Sequence, residues 1–238
     1  MINSYFITGT DTDVGKTTIA LGLVEKLQQQ GYRVGAMKPL AAGCEESSAG
    51  LRNSDAVQLQ RQADSKLPYE VINPYAFAPP IAPHIAAAAE GVRIDIETIY
   101  QHYQTIAAES DCVIVEGAGG WQVPLNDFQT IADLAKRLQL PVILVVGMRL
   151  GCISHALLSV ESIHAAKLPL AGWVANQIAP EMNCLEENIA TLQQRIEAPL
   201  LGHIPYLKNS EVAAMIQPIA QLLSLPPQHH SLRPDWAI

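Results

Sequence analysis

Glycine, lysine and threonine follow one another at the end of a turn-rich loop near the start of the chain. The loop reads Gly-Thr-Asp-Thr-Asp-Val-Gly-Lys-Thr-Thr from Gly9 to Thr18, between a short β-type apolar run and a helical pattern. Phosphate-binding loops have this order, because backbone N–H groups at a helix N-terminus surround a polyphosphate. Gly15 lets the backbone approach phosphate, Lys16 reaches the terminal phosphates, and the Thr17 hydroxyl can ligate Mg²⁺. The sequence therefore predicts a nucleotide site at this loop.

This loop departs from the strict phosphate-binding pattern. Five residues separate Gly9 from Gly15, one more than usual, and Thr10 stands at the usual glycine position. The alternative is an ordinary strand–turn–helix with a chance Gly-Lys-Thr, which the position straight after the first strand disfavours. Asp11 and Asp13 should repel phosphate unless Mg²⁺ or a cationic substrate group lies between. We expect at least one of these acids to face metal, ligand or the catalytic lysine; the alternative is that one merely caps a turn.

Two further chemical groups lie at the ends of predicted strands. Residues 112–115 predict a buried strand that ends in Glu116, and a glycine-rich segment follows it. An acid delivered by a strand beside a phosphate loop is the Walker B arrangement, in which the carboxylate contacts Mg²⁺ or its water shell. The alternative, a solvated turn residue, is disfavoured by the phosphate loop. Lys38 follows the predicted strand at 33–37, at the edge where open α/β sheets bind ligands.

Strand and helix patterns alternate along most of the chain, which is typical of a parallel sheet covered by helices. After the strand that precedes the loop, we predict strands at 33–37, 112–115, 141–146, 170–175 and 200–204. We predict helices from the loop to about residue 30, from about residue 53, and at about 95–109, 131–138, 154–167, 185–196 and 211–223. The expected fold class is α/β: a single-domain, three-layer α/β/α P-loop NTPase fold with a mostly parallel central sheet. Residues 1–225 would form this domain, and residues 226–238 a loosely attached C-terminal tail.

Three connecting stretches are expected to be irregular. Residues 40–53 are predicted to be a loop, and so are residues 147–153, after which Ser154 would cap a helix. The prolines of residues 68–83 argue against a regular element there. Because this last stretch also carries three aromatic residues, we expect an ordered excursion over the active face and not a disordered linker.

Asn176 and Gln177 follow the predicted strand at 170–175. In P-loop proteins an asparagine after such a strand often contacts the base of the nucleotide. The Lys-x-Asp motif that would indicate guanine is missing here, so adenine is the better interpretation.

The composition narrows the class of protein. The 238 residues are 49% hydrophobic and 16% charged with a net charge of −8, which is typical of a globular protein and disfavours nucleic acid or an anionic membrane as partner. Four cysteines without a close CxxC pair indicate reduced thiols. The chain shows no signal segment and no apolar run near the ~20 residues of a membrane span, so we expect a soluble, cytoplasmic protein.

Other catalytic chemistry has less support in the sequence. His84 and His155 have no second histidine or cysteine at ligand spacing, so a metal site built on them is disfavoured. No Ser-His-Asp order and no nucleophile elbow indicates a covalent hydrolase.

With these motifs assembled, the chain resembles the ATP-dependent dethiobiotin synthetases of biotin biosynthesis. The resemblance covers nearly the whole chain apart from the tail, and the extended phosphate loop is that family's own form. The motifs that carry it are residues 9–17, Lys38-Pro39, 50–56, Asn73-Pro74-Tyr75, Pro83-His84, 115–121, Pro124-Leu125, 151–153, 171–176 and 202–205.

The resemblance implies a role for each matching residue. The ATP phosphates would be held by Asp13, Val14, Gly15, Lys16, Thr17 and Thr18, beside Gly117, Ala118 and Gly119. The Mg²⁺ ligands would be Thr17, Asp55 and Glu116. The adenosine would lie against Asn176, Gln177, Pro205, Tyr206, Leu207 and Glu211. The substrate would contact Thr12, Lys38, Ala42, Gly151, Cys152 and Ile153, the last three as a helix start that binds its carboxylate across a homodimer interface.

The reaction that the resemblance implies converts 7,8-diaminononanoate, CO₂ (or bicarbonate) and ATP into dethiobiotin, ADP and phosphate. One amine takes up CO₂ as a carbamate, the carbamate oxygen attacks the γ-phosphate, and the second amine closes the cyclic urea. Because the substrate supplies the nucleophile, no kinase-type base is needed. Lys38 and Lys16 would be the catalytic residues, stabilising the carbamate and the transferring phosphate.

Three positions depart from the family's usual residues. Ala42 replaces a serine that often touches the substrate, and Arg149 and Ser154 stand where lysine and asparagine are common. A different class, the ATP-dependent switch or partitioning proteins of the same P-loop branch, is the main alternative. Those proteins carry an extra signature lysine early in the loop, and positions 9–14 contain none. A glutamine-dependent amide ligase would need a further domain, for which 238 residues leave no room.

Overall fold

Parallel β-strands form the centre of the molecule. The structure is a computed structural model, and it describes residues 4–207 and 212–226. The strands are β1 (Tyr5–Gly9), β2 (Val34–Met37), β3 (Leu40–Ala42), β4 (Glu45–Ser47), β5 (Gly50–Arg52), β6 (Tyr75–Phe77), β7 (Cys112–Gly120), β8 (Val142–Met148), β9 (Leu170–Gln177) and β10 (Leu200–Ile204). Six of them form the main sheet in the order β10-β9-β8-β1-β7-β2, with every neighbouring pair parallel. The apolar strand β8 is therefore central, as predicted.

Helices connect these strands and cover the sheet. They are α1 (Lys16–Gln29), α2 (Ser54–Gln62), α3 (Tyr69–Ile72), α4 (Pro83–Ala89), α5 (Ile96–Ala108), α6 (Ile131–Leu138), α7 (Cys152–Ala165), α8 (Leu185–Arg195) and α9 (Val212–Leu222). Within the described residues, no helix has both the length and the apolar character needed to cross a membrane.

Successive apolar side chains of the strands point alternately to the two faces of the sheet, and each face is covered by helices. Phe6, Val113 and Val115 point to one face, where they pack in a cluster with α5 and α6. Ile7 and Ile114 point to the other face, where α1, α2 and α9 cover them. The helices α7 and α8 pack on β8 and β9 in a third cluster. Because each strand of a covered parallel sheet is buried on both faces, this arrangement explains the continuous apolar runs in the sequence. The predicted three-layer α/β/α fold is confirmed.

Two of the stretches predicted to be irregular contain short regular elements. Residues 40–53 include β3 and the antiparallel pair β4–β5. Residues 68–83 include α3 and β6, and β6 pairs in parallel with β3. For residues 68–83 the prediction failed because prolines exclude only long elements. Pro68 stands before the single turn of α3, and Pro83 is the first residue of α4, where a missing N–H costs no hydrogen bond.

The segment after β8 also differs from the prediction. Strand β8 continues to Met148, and α7 begins at Cys152, so the connection is shorter than residues 147–153. Gly151 is the residue before the helix and has a left-handed backbone with φ of 95°. Ser154 consequently lies inside α7 and does not cap it. The helix begins at a left-handed backbone conformation, which glycine adopts without a steric penalty. Gly151 therefore takes the capping position that was predicted for Ser154.

Other boundaries agree with the sequence to within a few residues. Strand β7 is longer than predicted, since it continues past Glu116 to Gly120, where it pairs with Gly9 of β1. Glu211 and residues 227–238, most of the predicted tail, lie outside the described residues. The division at residue 225 therefore stays a prediction.

Candidate active site

The junction between the phosphate loop and α1 requires a glycine. Gly15 precedes α1 with φ of 87°, in the left-handed region. A Cβ atom at this position would lie 2.2 Å from Nδ2 of Asn176. That same Nδ2 donates a hydrogen bond of 2.8 Å to the backbone oxygen of Val14. The loop is thus held from the end of β9, and only a glycine fits between the loop and Asn176.

Lys16 is buried at the start of α1. Its Nζ donates to the backbone oxygen of Asp11 at 2.8 Å, so the side chain folds back under the loop. Burial, together with the nearby charge of Lys38, lowers the pKa of Lys16 to about 8. Bound phosphate would add negative charge next to this ammonium and favour its charged form, so Lys16 is suited to bind an anion.

Lys38, Glu116, Thr17 and Asp55 meet beside the loop. The Nζ of Lys38 lies 2.5 Å from Oε1 of Glu116 and 3.5 Å from Oδ2 of Asp55. It also donates to the backbone oxygen of Gly117 at 3.4 Å. The hydroxyl of Thr17 donates to the same Oε1 of Glu116 at 2.8 Å. The residue after β2 and residues of β7, α1 and α2 therefore form one polar cluster, although 99 residues separate Thr17 from Glu116.

This cluster is almost closed to solvent. Lys38 is 5% exposed and Glu116 is 1% exposed. Burial favours the uncharged form of Lys38, but the carboxylates of Glu116 and Asp55 outweigh it and raise the pKa of the ammonium. Burial raises the pKa of Glu116, and the Lys38 ammonium opposes that change. Because a buried charge is tolerated only when paired, each partner depends on the other.

A cavity of about 910 Å³ opens over the loop and the cluster. Of the residues predicted to bind ligands, it is lined by Thr12, Asp13, Gly15, Lys16, Thr17, Thr18, Lys38, Ala42, Asp55, Glu116, Ala118 and Gly119. The wall opposite the loop includes Pro80, Ile81, Ala82 and Pro83. The end of the predicted excursion, residues 80–83, therefore lies at the active face, whereas Tyr69, Ile72, Asn73 and Phe77 are buried.

The two acids of the loop have different environments. Asp13 lines the cavity, where its charge acts on Lys16, as expected for at least one of the pair. Asp11 instead pairs with Arg149, the first residue of the connection from β8 to α7. The backbone N–H of Thr12 and the Arg149 guanidinium lower the pKa of Asp11, so its carboxylate is charged at neutral pH. This ion pair was not predicted, since 138 residues separate its partners.

Several predicted ligand contacts lie away from the cavity wall. Asn176 is buried against the loop, and Gln177 donates to the backbone oxygens of residues 179 and 180. Ile204 of β10 pairs with Asn176, so the segment 205–207 leaves the sheet next to this asparagine. Cys152 is buried, and its backbone N–H donates to the oxygen of Arg149 at 3.0 Å.

The donor atoms near Glu116 fit a divalent cation that prefers oxygen. The hydroxyl of Thr17 and the carboxylates of Asp55 and Glu116 converge there, and these are ligands that Mg²⁺ accepts. Oε2 of Glu116 is buried and has no hydrogen-bond partner. Within the described part of the chain, no group of three His, Cys, Asp or Glu is placed to hold a metal.

Three buried residues that support the site were missed by sequence reasoning. Asn53, Tyr69 and Asn73 connect the backbone of Lys38 to the start of α2 through hydrogen bonds. Asn73 belongs to a motif of the family resemblance, and Asn53 was expected only as a helix cap. The hydrogen bonds from Asn53 to Tyr69 and from Asn73 to Lys38 join residues 16 and 35 positions apart, so no local pattern indicates them.

A strand, a phosphate loop and a helix, with an acid at the end of the neighbouring strand of a parallel sheet, define a P-loop nucleotide-binding protein. A family model described as an AAA domain matches residues 3–214. Solved structures with this fold include a ParA family ATPase from Chlorobium tepidum TLS, with a TM-score of 0.54 and 14% identity, covering 93% of this chain and 90% of that one. The MinC:MinD cell division protein complex of Aquifex aeolicus matches with a TM-score of 0.54 and 16% identity, covering 93% of this chain and 92% of that one. At these identities the likeness concerns the fold alone.

Closer relatives identify the family. The chain is 50% identical over 213 residues to a protein of Pseudomonas aeruginosa (strain UCBPP-PA14), covering 89% of this chain and 93% of the relative. It is 47% identical over 234 residues to a protein of Chromohalobacter salexigens, covering 94% and 99%. A protein of Cellvibrio japonicus is 51% identical over 211 residues, covering 89% and 92%. All three are named ATP-dependent dethiobiotin synthetase BioD, and this chain belongs to that family.

Proposed function

We propose that this chain makes dethiobiotin from 7,8-diaminononanoate, CO₂ (or bicarbonate) and ATP. An amine of the substrate attacks CO₂ and loses a proton, which gives a carbamate. A carbamate oxygen attacks the γ-phosphorus and ADP leaves, so a carbamic–phosphoric anhydride forms. The second amine attacks the carbonyl carbon of this anhydride, and phosphate leaves with closure of the cyclic urea. The membership of the chain in the dethiobiotin synthetase family supports this reaction.

The observation that carries the proposal is the position of Lys38. Its ammonium is buried within 2.5 Å of Glu116, in the cavity that also contains the phosphate loop. A fixed cation there would stabilise the negative charge of the carbamate as it approaches the γ-phosphate. Preorganised charges in a site closed to water are among the strongest catalytic effects. Since the substrate supplies the nucleophile, the absence of a histidine from the cavity wall is compatible with the chemistry.

Lys16 would act on the phosphate side of the same reaction. Its folded-back side chain reaches the interior of the loop, where the transferring phosphoryl group would lie. The donors Thr17, Asp55 and Glu116 would hold Mg²⁺, which would neutralise charge on the phosphates when bound. For this the Lys38 ammonium has to share Glu116 with the metal or release it.

The nucleotide base would lie at the far side of the loop. Asn176 and Gln177 stand at the end of β9, and segment 205–207 follows the neighbouring strand, so the proposed adenine contacts belong to one region of the sheet edge. The bond from Asn176 to Val14 means that this asparagine also shapes the phosphate loop. Adenine recognition would therefore depend on backbone groups near it as well as on its side chain.

The carboxylate of the substrate would bind at the start of α7, at Gly151, Cys152 and Ile153. Backbone N–H groups at a helix N-terminus are a favourable site for an anion. Leu150 is 99% exposed and Leu158 is 61% exposed on the same helix and its approach, which supports the proposed homodimer interface here. The enzyme would act in the cytoplasm.

The structure shows the surroundings of the three positions that depart from the family pattern. Ala42 lines the cavity, so a hydrogen bond that a serine would give is absent, at a typical cost of ~0.5–1.5 kcal/mol in binding. Arg149 is paired with Asp11, and Ser154 lies in the first turn of α7. These two positions would alter the fine contacts of the carboxylate site.

Measurement of ADP release with single components omitted tests the proposed reaction. With Mg²⁺ and ATP present, we expect turnover only when both the diamine and bicarbonate are added, and mass spectrometry should detect dethiobiotin. A Lys16→Ala variant controls for contaminating ATPase activity. Hydrolysis at the full rate without the diamine would contradict the proposal and would favour a switch or partitioning ATPase, the class to which the fold relatives belong.

A further inference from the structure

Both backbone groups of Lys38 are held by one short segment. The N–H of Lys38 donates to the oxygen of Ile72 at 2.9 Å. The oxygen of Lys38 accepts a hydrogen bond of 2.6 Å from Nδ2 of Asn73. The position from which the Lys38 side chain enters the cavity is therefore set by α3 and the residue that follows it.

The same segment holds the start of α2, which carries Asp55. The N–H of Asn53 donates to the hydroxyl oxygen of Tyr69 at 2.8 Å. Oδ1 of Asn53 accepts from the N–H groups of Asp55 at 3.1 Å and Ala56 at 3.2 Å, and so caps the helix. Displacement of Asn53 would consequently displace Asp55.

One side-chain hydrogen bond joins these two sets of contacts. The hydroxyl of Tyr69 donates to Oδ1 of Asn73 at 2.9 Å, which completes a chain from Asn53 through Tyr69 and Asn73 to Lys38. Tyr69 is 6% exposed and Asn73 is 3% exposed. Buried networks with every member bonded are rigid, since any displacement leaves a polar group without a partner. Neither side chain lines the cavity, so their effect on a ligand is indirect.

We propose that Tyr69 and Asn73 are positioning residues that fix Lys38 and Asp55 relative to each other. This inference rests on the proposed function, because it concerns the geometry in which the carbamate meets the phosphate. Misplacement of reacting groups by about 1 Å can cost ~100-fold in rate. The hydroxyl of Tyr69 contacts both Asn53, at the start of α2, and Asn73, which binds the backbone of Lys38. Its removal is therefore the most direct test.

The Tyr69→Phe substitution removes this hydroxyl and retains the ring, which lies under Arg52 at 4.1 Å. We expect kcat to fall by ~10–100-fold, while KM for ATP changes by less than about threefold. Tyr75→Phe is the matched control. It also removes a hydroxyl that accepts a backbone N–H, that of Asp95 at 3.0 Å, and it should leave kcat within about twofold.

A second measurement does not depend on turnover. Acetic anhydride acylates accessible amines, and mass spectrometry reports the rate for each lysine in the ligand-free protein. We expect Lys38 to react several-fold faster in Tyr69→Phe than in the wild type or in Tyr75→Phe, because its ion pair with Glu116 is loosened. This readout remains informative if the chain turns out to have another substrate, so failure of the proposed function and failure of this inference are distinguishable.

A double-mutant cycle tests whether the effect passes through Lys38. In a Lys38→Gln background, Tyr69→Phe should lower kcat much less than it does in the wild type. An equal loss of kcat in both backgrounds would show that Tyr69 does not act through Lys38. Equal kcat and equal Lys38 acylation in Tyr69→Phe and Tyr75→Phe would overturn the inference. If Tyr69→Phe does not fold, Asn73→Asp removes the donor to the Lys38 oxygen while retaining an acceptor for Tyr69, and the same readouts apply.

Discussion

The ammonium of Lys38 and the carboxylate of Glu116 form a buried ion pair of 2.5 Å at the carboxyl edge of two neighbouring strands. Thr17, from the helix that follows the phosphate loop, donates to the same carboxylate oxygen. The proposed metal ligands and the proposed catalytic lysine are therefore in direct contact with one another. Chemistry at this site would begin with a redistribution of charge within an existing cluster.

The Lys38→Gln substitution should lower kcat by ~100–1,000-fold and leave the affinity for ATP nearly unchanged. The reason is that Lys38 would stabilise charge that develops during phosphoryl transfer, whereas the loop holds the nucleotide. Steady-state kinetics and equilibrium ATP binding separate the two effects. Lys136→Gln, an exposed lysine on α6, is the control. Unchanged turnover in Lys38→Gln would remove Lys38 from the mechanism.

The same substitution should also destabilise the ligand-free protein. Glu116 would remain buried without its cation, and the loss of one partner of a buried ion pair typically costs about 3–5 kcal/mol. The double substitution Lys38→Gln/Glu116→Gln should recover most of that loss in urea unfolding but none of the activity. A double variant as unstable as the single one would show that the ion pair is not the cause.

The Glu116→Gln substitution should increase the Mg²⁺ concentration needed for half-maximal activity by ~10-fold or more. An amide is a weaker ligand than a carboxylate, and Oε2 of Glu116 has no other partner in the structure. A titration of ADP release with MgCl₂ at saturating ATP measures this change. Thr17→Ser, which retains the hydroxyl, should shift the titration much less. Superimposable Mg²⁺ titrations of wild type and Glu116→Gln would argue against a metal at this position.

The Asn176→Ala substitution should weaken ATP binding and relax the preference for adenine. Loss of the donor to the Val14 oxygen removes a buried hydrogen bond worth about 1 kcal/mol, or roughly fivefold in affinity if the loop must be ordered to bind. Activity with ATP and with GTP, compared at subsaturating nucleotide, gives both effects. Asn126→Ala, which likewise loses a side-chain donor to a backbone oxygen (that of Ile94), is the control. An unaltered ATP-to-GTP ratio would show that other groups recognise the base.

Stability should fall in alkaline solution because of two adjacent buried groups. Burial raises the pKa of Cys112 from 9.0 to about 12 and the pKa of Tyr5 from 10.0 to about 12. Each group loses its proton more readily when unfolded, so its contribution is complete below the unfolded pKa and is lost as pH rises toward the folded one. For Cys112 the loss should reach roughly 1 kcal/mol by pH 10. Urea unfolding of wild type and Cys112→Ala at several pH values should show a flatter dependence in the variant; parallel curves would refute this origin.

The sequence was sufficient to predict the parts of the site that lie at strand ends. Lys16, Lys38 and Glu116 follow predicted strands, and parallel strands of one sheet end at the same edge. Their convergence therefore follows from topology, without knowledge of any side-chain position. The same argument explains why the six main strands were predicted correctly, since their apolar runs are buried on both faces.

Contacts between loops could not be predicted in the same way. The pairing of β3 with β6 depends on the path of a proline-containing segment, which propensity alone does not define. The hydrogen bonds of Tyr69 and Asn73 depend on where that segment returns to Lys38. Each of these contacts is determined by tertiary packing, because the local sequence is compatible with several conformations of similar energy. The positioning of the site, unlike its chemical composition, therefore required the three-dimensional structure.

The ion pair between Asp11 and Arg149 makes one part of this site sensitive to ionic strength. Their side chains are 46% and 45% exposed, in contrast to the nearly closed pair of Lys38 and Glu116. The Debye length shortens from about 10 Å at 0.1 M salt to about 3 Å at 1 M, so dissolved ions screen exposed pairs and hardly affect buried ones. Rising salt would thus weaken the attachment of Asp11 to the segment that follows β8, while the buried cluster stays intact. The phosphate loop is thus attached at Asp11 by an ion pair that depends on salt, and at Thr17 by a hydrogen bond to buried Glu116 that does not.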